Sequence, residues 1–246
     1  MLKVLLTFDL MLIGVFTLVF VVMHSFVGLW IILKYIKHKQ KSLLQIGVGW
    51  IGAATVWMGV AIDFIFILIN DAPTPIEVHL LIIGGVLPFT QLAWIAGITS
   101  LMPIEKSTRR KILLIGAILA IIFCPIYIYI ALTDPSIWGH KITPIQVKLS
   151  FFNQIHYAIE IMVFILPGLW FSRESLRSDK PDIKLKGKFL LFTFIVSILM
   201  TLLELLSATV LVYLIARIIA VFVAISFYIG FIMPNWVKNI FLKKSV

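Results

Sequence analysis

Cysteine is almost missing from this sequence, and negative charge is scarce. The single thiol, Cys124, sits in an apolar run without a partner in the chain, which excludes an intramolecular disulfide and a cysteine-based zinc site. Charged residues make up 13% of 246 positions, with 11 Asp and Glu against 21 Lys and Arg, where a soluble domain carries roughly 25%. Long polar segments are missing too. The longest, 173–188, is too short to fold alone, since independent domains need about 50 residues. There is no phosphate-cradling glycine loop and no nucleophile elbow. Enzyme activity and a cofactor are therefore not expected.

What is abundant is hydrocarbon: 61% of the residues are hydrophobic. Apolar runs of 18 or more residues recur along the chain, each long enough to cross a core of roughly 30 Å. Seven stand out, at 10–33, 43–69, 77–102, 112–132, 148–172, 189–207 and 209–233. The first is too long for the core of a signal peptide and lacks a small-residue cleavage site, so it reads as a span. Backbone polar groups cannot stay unpaired in lipid, and the alternation of a barrel strand is absent, so each span is expected to be a helix. The fold class that follows is all-α: one polytopic domain of seven transmembrane helices in a cell membrane.

Basic residues give the orientation. Lys34, Lys37, Lys39 and Lys41 follow span one, and Lys106, Arg109, Arg110 and Lys111 follow span three. Arg173, Arg177, Lys180, Lys184, Lys186 and Lys188 follow span five, and Lys238, Lys243 and Lys244 lie in the tail. Only Lys3, Lys141 and Lys148 fall on the other side, with Arg217 inside span seven. The positive-inside rule puts the basic side in the cytoplasm, the N-terminus out and the C-terminus in. The net charge of +10 then describes a collar facing anionic lipid rather than a nucleic-acid surface. In the tail, Trp236, Val237, Ile240 and Phe241 share a helical face, which suggests a short interfacial helix. A tight hairpin is expected at 207–209.

Ionisable groups in hydrocarbon cost at least a few kcal/mol, so each needs a reason. Counting about 1.5 Å per residue from the outer span ends puts Glu204 roughly 5 Å deep, Asp63 about 9 Å, His156 and Arg217 about 12 Å and Glu160 about 18 Å. Asn153, His156 and Glu160 are spaced i, i+3, i+7 and share a face of span five. Asp63, Asn153, His156, Glu160, Glu204 and Arg217 are accordingly the candidate ligand-binding residues of a pocket in the outer half, with Glu204 and Arg217 as ion-pair partners. His24 and Gln91, at roughly 21 Å, fall in the inner half and are left apart. That one-sidedness favours a receptor over a transporter.

Other chemistries are excluded or weakened. Span seven has Arg217 and no lysine, so a retinal Schiff base has no place. The intramembrane histidines His24, His79 and His156 lie at different depths, and the looser outer set Glu77, His79 and His140 falls short on ligand count, so no metal site is assigned.

The end of span seven, Phe227-Tyr228-Ile229-Gly230-Phe231-Ile232-Met233-Pro234-Asn235-Trp236, resembles the end of the seven-helix membrane domains of prokaryotic sensor proteins. Those include sensor histidine kinases and stand-alone archaeal relatives. The Asp134-Pro135-Ser136 loop before span five, the helix count and the orientation fit the same group. No kinase domain follows span seven in this sequence. The resemblance therefore implies a sensor or receptor-like module whose output comes from a cytoplasmic or membrane partner. A small-solute or proton-coupled transporter and a ligand-free membrane scaffold are the alternatives.

Overall fold

The computed structural model describes residues 6–206 and 209–242. Lys3, Lys243, Lys244 and most of the expected 207–209 hairpin lie outside them. Ten α-helices and one small β-hairpin make up the described chain. The helices are α1 (Phe8–His38), α2 (Lys41–Ala53), α3 (Thr55–Asn70), α4 (Ile76–Leu80) and α5 (Leu87–Ser100), then α6 (Lys106–Thr133), α7 (Phe151–Leu176), α8 (Pro181–Leu206), α9 (Val210–Ile232) and α10 (Asn235–Phe241). Six helical stretches are long and apolar enough to cross a membrane, or seven if the bent pair α2–α3 is one span. Their outward faces carry Leu119, Ile121, Ile122, Leu166 and Phe222, all more than half exposed. An apolar exterior of that extent suits lipid and not water. The chain is an all-helical, multi-pass membrane protein.

The helices form a ring. α1 packs against α2 and α9, α2 against α5, α5 against α7, and α7–α8–α9 complete the circuit, while α6 lies outside on α5. Close approach depends on small residues. A Cβ added at Gly49 would sit 2.5 Å from the Cβ of Trp94 and 2.7 Å from its Cα. Trp94 is fully buried, so nothing there can give way. Gly49→Ala should therefore lose about 1–3 kcal/mol in an unfolding titration, the usual range for overpacking. Unchanged stability would mean that α2 and α5 are less tightly crossed.

Two of the helices are broken, and both breaks have identifiable causes. α2 and α3 meet at 58° around Ala54, where the Thr55 hydroxyl donates to the Gly52 carbonyl (2.7 Å) and so takes over a group the helix would otherwise pair. Between α4 and α5 the chain makes a π-helical stretch, Leu81–Gly85, ahead of Pro88. Side chains of α6 reach the carbonyls loosened there. Tyr127 donates to Leu80 O (3.3 Å), and the lone Cys124 donates to Gly85 O (2.6 Å). The cysteine serves the backbone rather than redox chemistry.

The connection after α6 contains a single 3₁₀ turn (Pro135–Ile137) and an antiparallel hairpin, β1 (Gly139–Lys141) with β2 (Val147–Leu149). Span five is expected from residue 148, whereas 147–149 pair as β2 and α7 begins at Phe151. The tail helix forms as α10, with Val237 buried against Leu185, Ile229 and Met233, and Trp236, Ile240 and Phe241 exposed. The two ends of the bundle are called here the hairpin end and the basic end. Toward the basic end the ring interior is packed with Trp50, Trp94, Phe164, Phe194 and Phe227, where Trp50 stacks on Phe227 at 3.5 Å and the Trp94 indole donates to Phe164 O (2.9 Å).

Candidate functional site

The six expected pocket residues do not form one pocket. Five of them fall into three locally bonded groups at different places, and Glu160 stands apart.

Asp63, on α3, is wholly buried at the hairpin end and fully bonded. One carboxylate oxygen accepts from the Thr74 backbone N–H (2.8 Å) and from the Thr74 hydroxyl. The other accepts from His79 Nδ1 (2.6 Å) and Lys141 Nζ (2.9 Å). Lys141 also donates to Thr74 O (2.7 Å), so its ammonium is folded inward under the hairpin. Asp63 was expected to lie unpaired beside His156 and Glu160. It is instead the anchor that holds the 70–75 turn and the β-hairpin to the bundle. His79 and Lys141 were the residues missed: one was weighed only as a metal ligand, the other counted only as a loop charge.

Asn153 and His156 belong to an aromatic layer between α6, α7 and the loop. The Asn153 side chain donates to Trp138 O (3.0 Å), the Trp138 indole donates to Tyr127 O (3.1 Å), and His156 stacks on Phe123 at 4.5 Å. Glu204 and Arg217 do pair, as expected, and the pair extends further. Arg217 donates to Glu204 and, through Nε, to Thr17 Oγ1 (3.0 Å). The Trp57 indole donates to the other Glu204 oxygen (3.2 Å), and the guanidinium lies 5.6 Å from the Trp57 ring. This network ties α1, α3, α8 and α9 together.

Glu160 is the exception. It makes no hydrogen bond among the described residues, and the basic group within 4 Å of it there is His156, through Nδ1 at 3.8 Å. It lines a cavity of about 90 Å³ at the centre of the ring, to which α1, α2, α3, α5, α7, α8 and α9 all contribute. At roughly 30 Å³ per water in the liquid, that is room for about three waters or a small ligand. His24 and Gln91 line the same cavity. The sequence reading set them apart in the inner half, so the expected one-sidedness is corrected. The two helix breaks border this cavity, through Ala53 and Val56 on one side and Leu87 on the other.

Four residues of this wall hold a buried polar atom without a partner among the described residues: His24 Nδ1, Trp50 Nε1, Gln91 Oε1 and Tyr157 Oη. His24 is 5% exposed and Gln91 4%. Buried polar atoms are almost always satisfied, so four on the wall of one cavity single it out as the candidate ligand site. His24 Nε2 lies 2.8 Å from Trp50 O, an acceptor, so the neutral ring carries its proton on Nε2 and offers Nδ1 as an acceptor.

No family model matches this chain, and no curated protein does. The central cavity is therefore judged on its own chemistry. Among the described residues no three His, Cys, Asp or Glu side chains are grouped to hold a metal ion. An acid, an imidazole, an amide and two indoles around a small apolar space can bind and orient a small polar molecule.

Proposed function

We propose that this chain is a receptor-like sensor that takes a small ligand into the central cavity and passes its occupancy to a cytoplasmic or membrane partner. In this reading it crosses a cell membrane seven times, with α2 and α3 as one bent span. The hairpin end faces outward and the basic end faces the cytoplasm. The observation that carries it is the cavity itself, walled by seven helices and lined by Glu160 and by four residues with an unpartnered buried polar atom. A ligand touching that many helices can bias how they pack, which is the physical requirement for a conformational signal.

A carrier is the second reading, and the two helix breaks beside the cavity favour it, because transporters place their substrates at such breaks. Against it stands the aromatic packing of Trp50, Trp94, Phe164, Phe194 and Phe227, which blocks the way on the basic side and would have to part for transport.

Thermal unfolding of the detergent-purified protein against a library of neutral, anionic and cationic compounds tests the ligand site. A true ligand at a hundredfold excess over Kd should raise Tm by about 5 °C. Ser197→Leu should abolish that rise. Ser197 lines the cavity and its hydroxyl donates only within its own helix, to Thr193 O (2.8 Å), so the added bulk intrudes without stranding a partner. If no compound stabilises the parent, or if each stabilises Ser197→Leu equally, the proposal fails. Accumulation of the stabilising compound in proteoliposomes would decide for the carrier.

A further inference from the structure

The cavity's chemistry also selects a class of ligand, an inference that rests on reading the cavity as a ligand site. Its acceptors are the Glu160 carboxylate, His24 Nδ1, Gln91 Oε1 and the hydroxyl oxygens of Ser197 and Thr201. Both hydroxyls have their hydrogens committed, Ser197 to Thr193 O and Thr201 to Ser197 O, so each faces the cavity only as an acceptor. Against these stand the Trp50 indole N–H, the Gln91 amide N–H groups and the Tyr157 hydroxyl as donors.

Charge decides the matter. Among the described residues, no lysine or arginine lines the cavity. Arg217 is engaged by Glu204 and Thr17, and Lys141 by Asp63 and Thr74. The Glu160 side chain is 13% exposed and has only His156 within 4 Å as a basic group. Hydrocarbon around a carboxylate with no cation of its own is costly, and the charge is relieved by a proton or by a cation from outside. We propose that the central cavity binds a small protonated primary amine. Glu160 is its counter-ion, and His24 Nδ1 and Gln91 Oε1 receive its remaining N–H bonds. Charge-assisted N–H···O bonds of this kind are about twice as strong as neutral ones. The rest of the wall, including Phe20, Leu87 and Phe164, suits a short hydrocarbon tail.

The test uses propylammonium and butylammonium chloride as probes, with 1-propanol, 1-butanol and sodium propionate as matched neutral and anionic controls. Tm and intrinsic tryptophan emission of the purified full-length protein are the readouts, since Trp50 and Trp57 line the cavity. The two amines should raise Tm and shift the emission saturably, and the controls should not. Glu160→Gln should raise the half-saturating amine concentration at least about tenfold. Gln91→Leu should raise it severalfold and carries the test if Glu160→Gln does not fold.

Amines no more effective than the alcohols, or parent-like affinity in both variants, would overturn the assignment. A neutral or anionic compound that protects the parent but not Ser197→Leu would overturn the amine while leaving the ligand cavity standing. No saturable effect from any compound would remove both.

Discussion

Replacing Asp63 with Ala should destabilise the protein by about 3 kcal/mol or more and release the β-hairpin. Removing one partner from a buried charged set leaves the others without compensation, which typically costs about 3–5 kcal/mol. Here the stranded groups are His79, 3% exposed, and Lys141, 20% exposed, together with the Thr74 N–H and hydroxyl. Lys141 can swing into water once released, which brings the loss toward the lower end of that range. The same swing detaches residues 139–149, because the ammonium is what holds Thr74 O and Asp63 together beneath the hairpin. Lys141→Met should cost less, since Thr74 and His79 still satisfy both Asp63 oxygens. Unfolding titrations of the two variants give the ranking, and hydrogen exchange over 139–149 reports the hairpin. A loss under about 1 kcal/mol for Asp63→Ala, the level of an exposed pair, would mean the network does not fasten the hairpin.

That network also shows what a sequence can and cannot reveal. Span positions were legible because hydrocarbon thickness constrains them directly. The expected run 112–132 lies inside α6 at Lys106–Thr133, and 209–233 matches α9 at Val210–Ile232. The break within span two was not legible, because Gly52, Thr55 and their neighbours read as an ordinary small-residue packing face until the Thr55 hydroxyl is seen on the Gly52 carbonyl. Asp63 was correctly singled out as a buried acid needing a reason, yet its partners come from two loops whose folding no apolar period predicts. His79 was the accessible clue. It lies two residues into span three while Asp63 lies six into span two, a difference in depth of roughly 6 Å across a short turn. For the cavity, the depth estimate placed Glu160 within roughly 3 Å of His24 and Gln91. Dividing the bundle into an outer and an inner half drew a line between residues that face one another.

Arg217→Met should be the other severe substitution, at about 3–5 kcal/mol, and it should be largely repaired by adding Glu204→Gln. Alone, the substitution leaves the Glu204 carboxylate, 15% exposed, with the Trp57 indole as its one remaining donor among the described residues. Thr17 loses a donor too, but its hydroxyl can turn to a carbonyl of its own helix at little cost. In the double variant the Gln amide still accepts from Trp57 and no charge remains to be compensated, so a double-mutant cycle should return a coupling of about 2–3 kcal/mol. Arg217 and Glu204 do not line the central cavity, whereas Trp57 and Thr201, beside them, do. The double variant should therefore keep a ligand's half-saturating concentration within about threefold of the parent. Restored folding with lost binding would show instead that the ion pair sets the shape of the cavity wall, and that the Trp57 indole is held in place by Glu204 as a charged group rather than simply as an acceptor. No repair in the double variant would mean that the guanidinium matters mainly through its hydrogen bond to Thr17 and its packing over Trp57, with the pairing to Glu204 secondary.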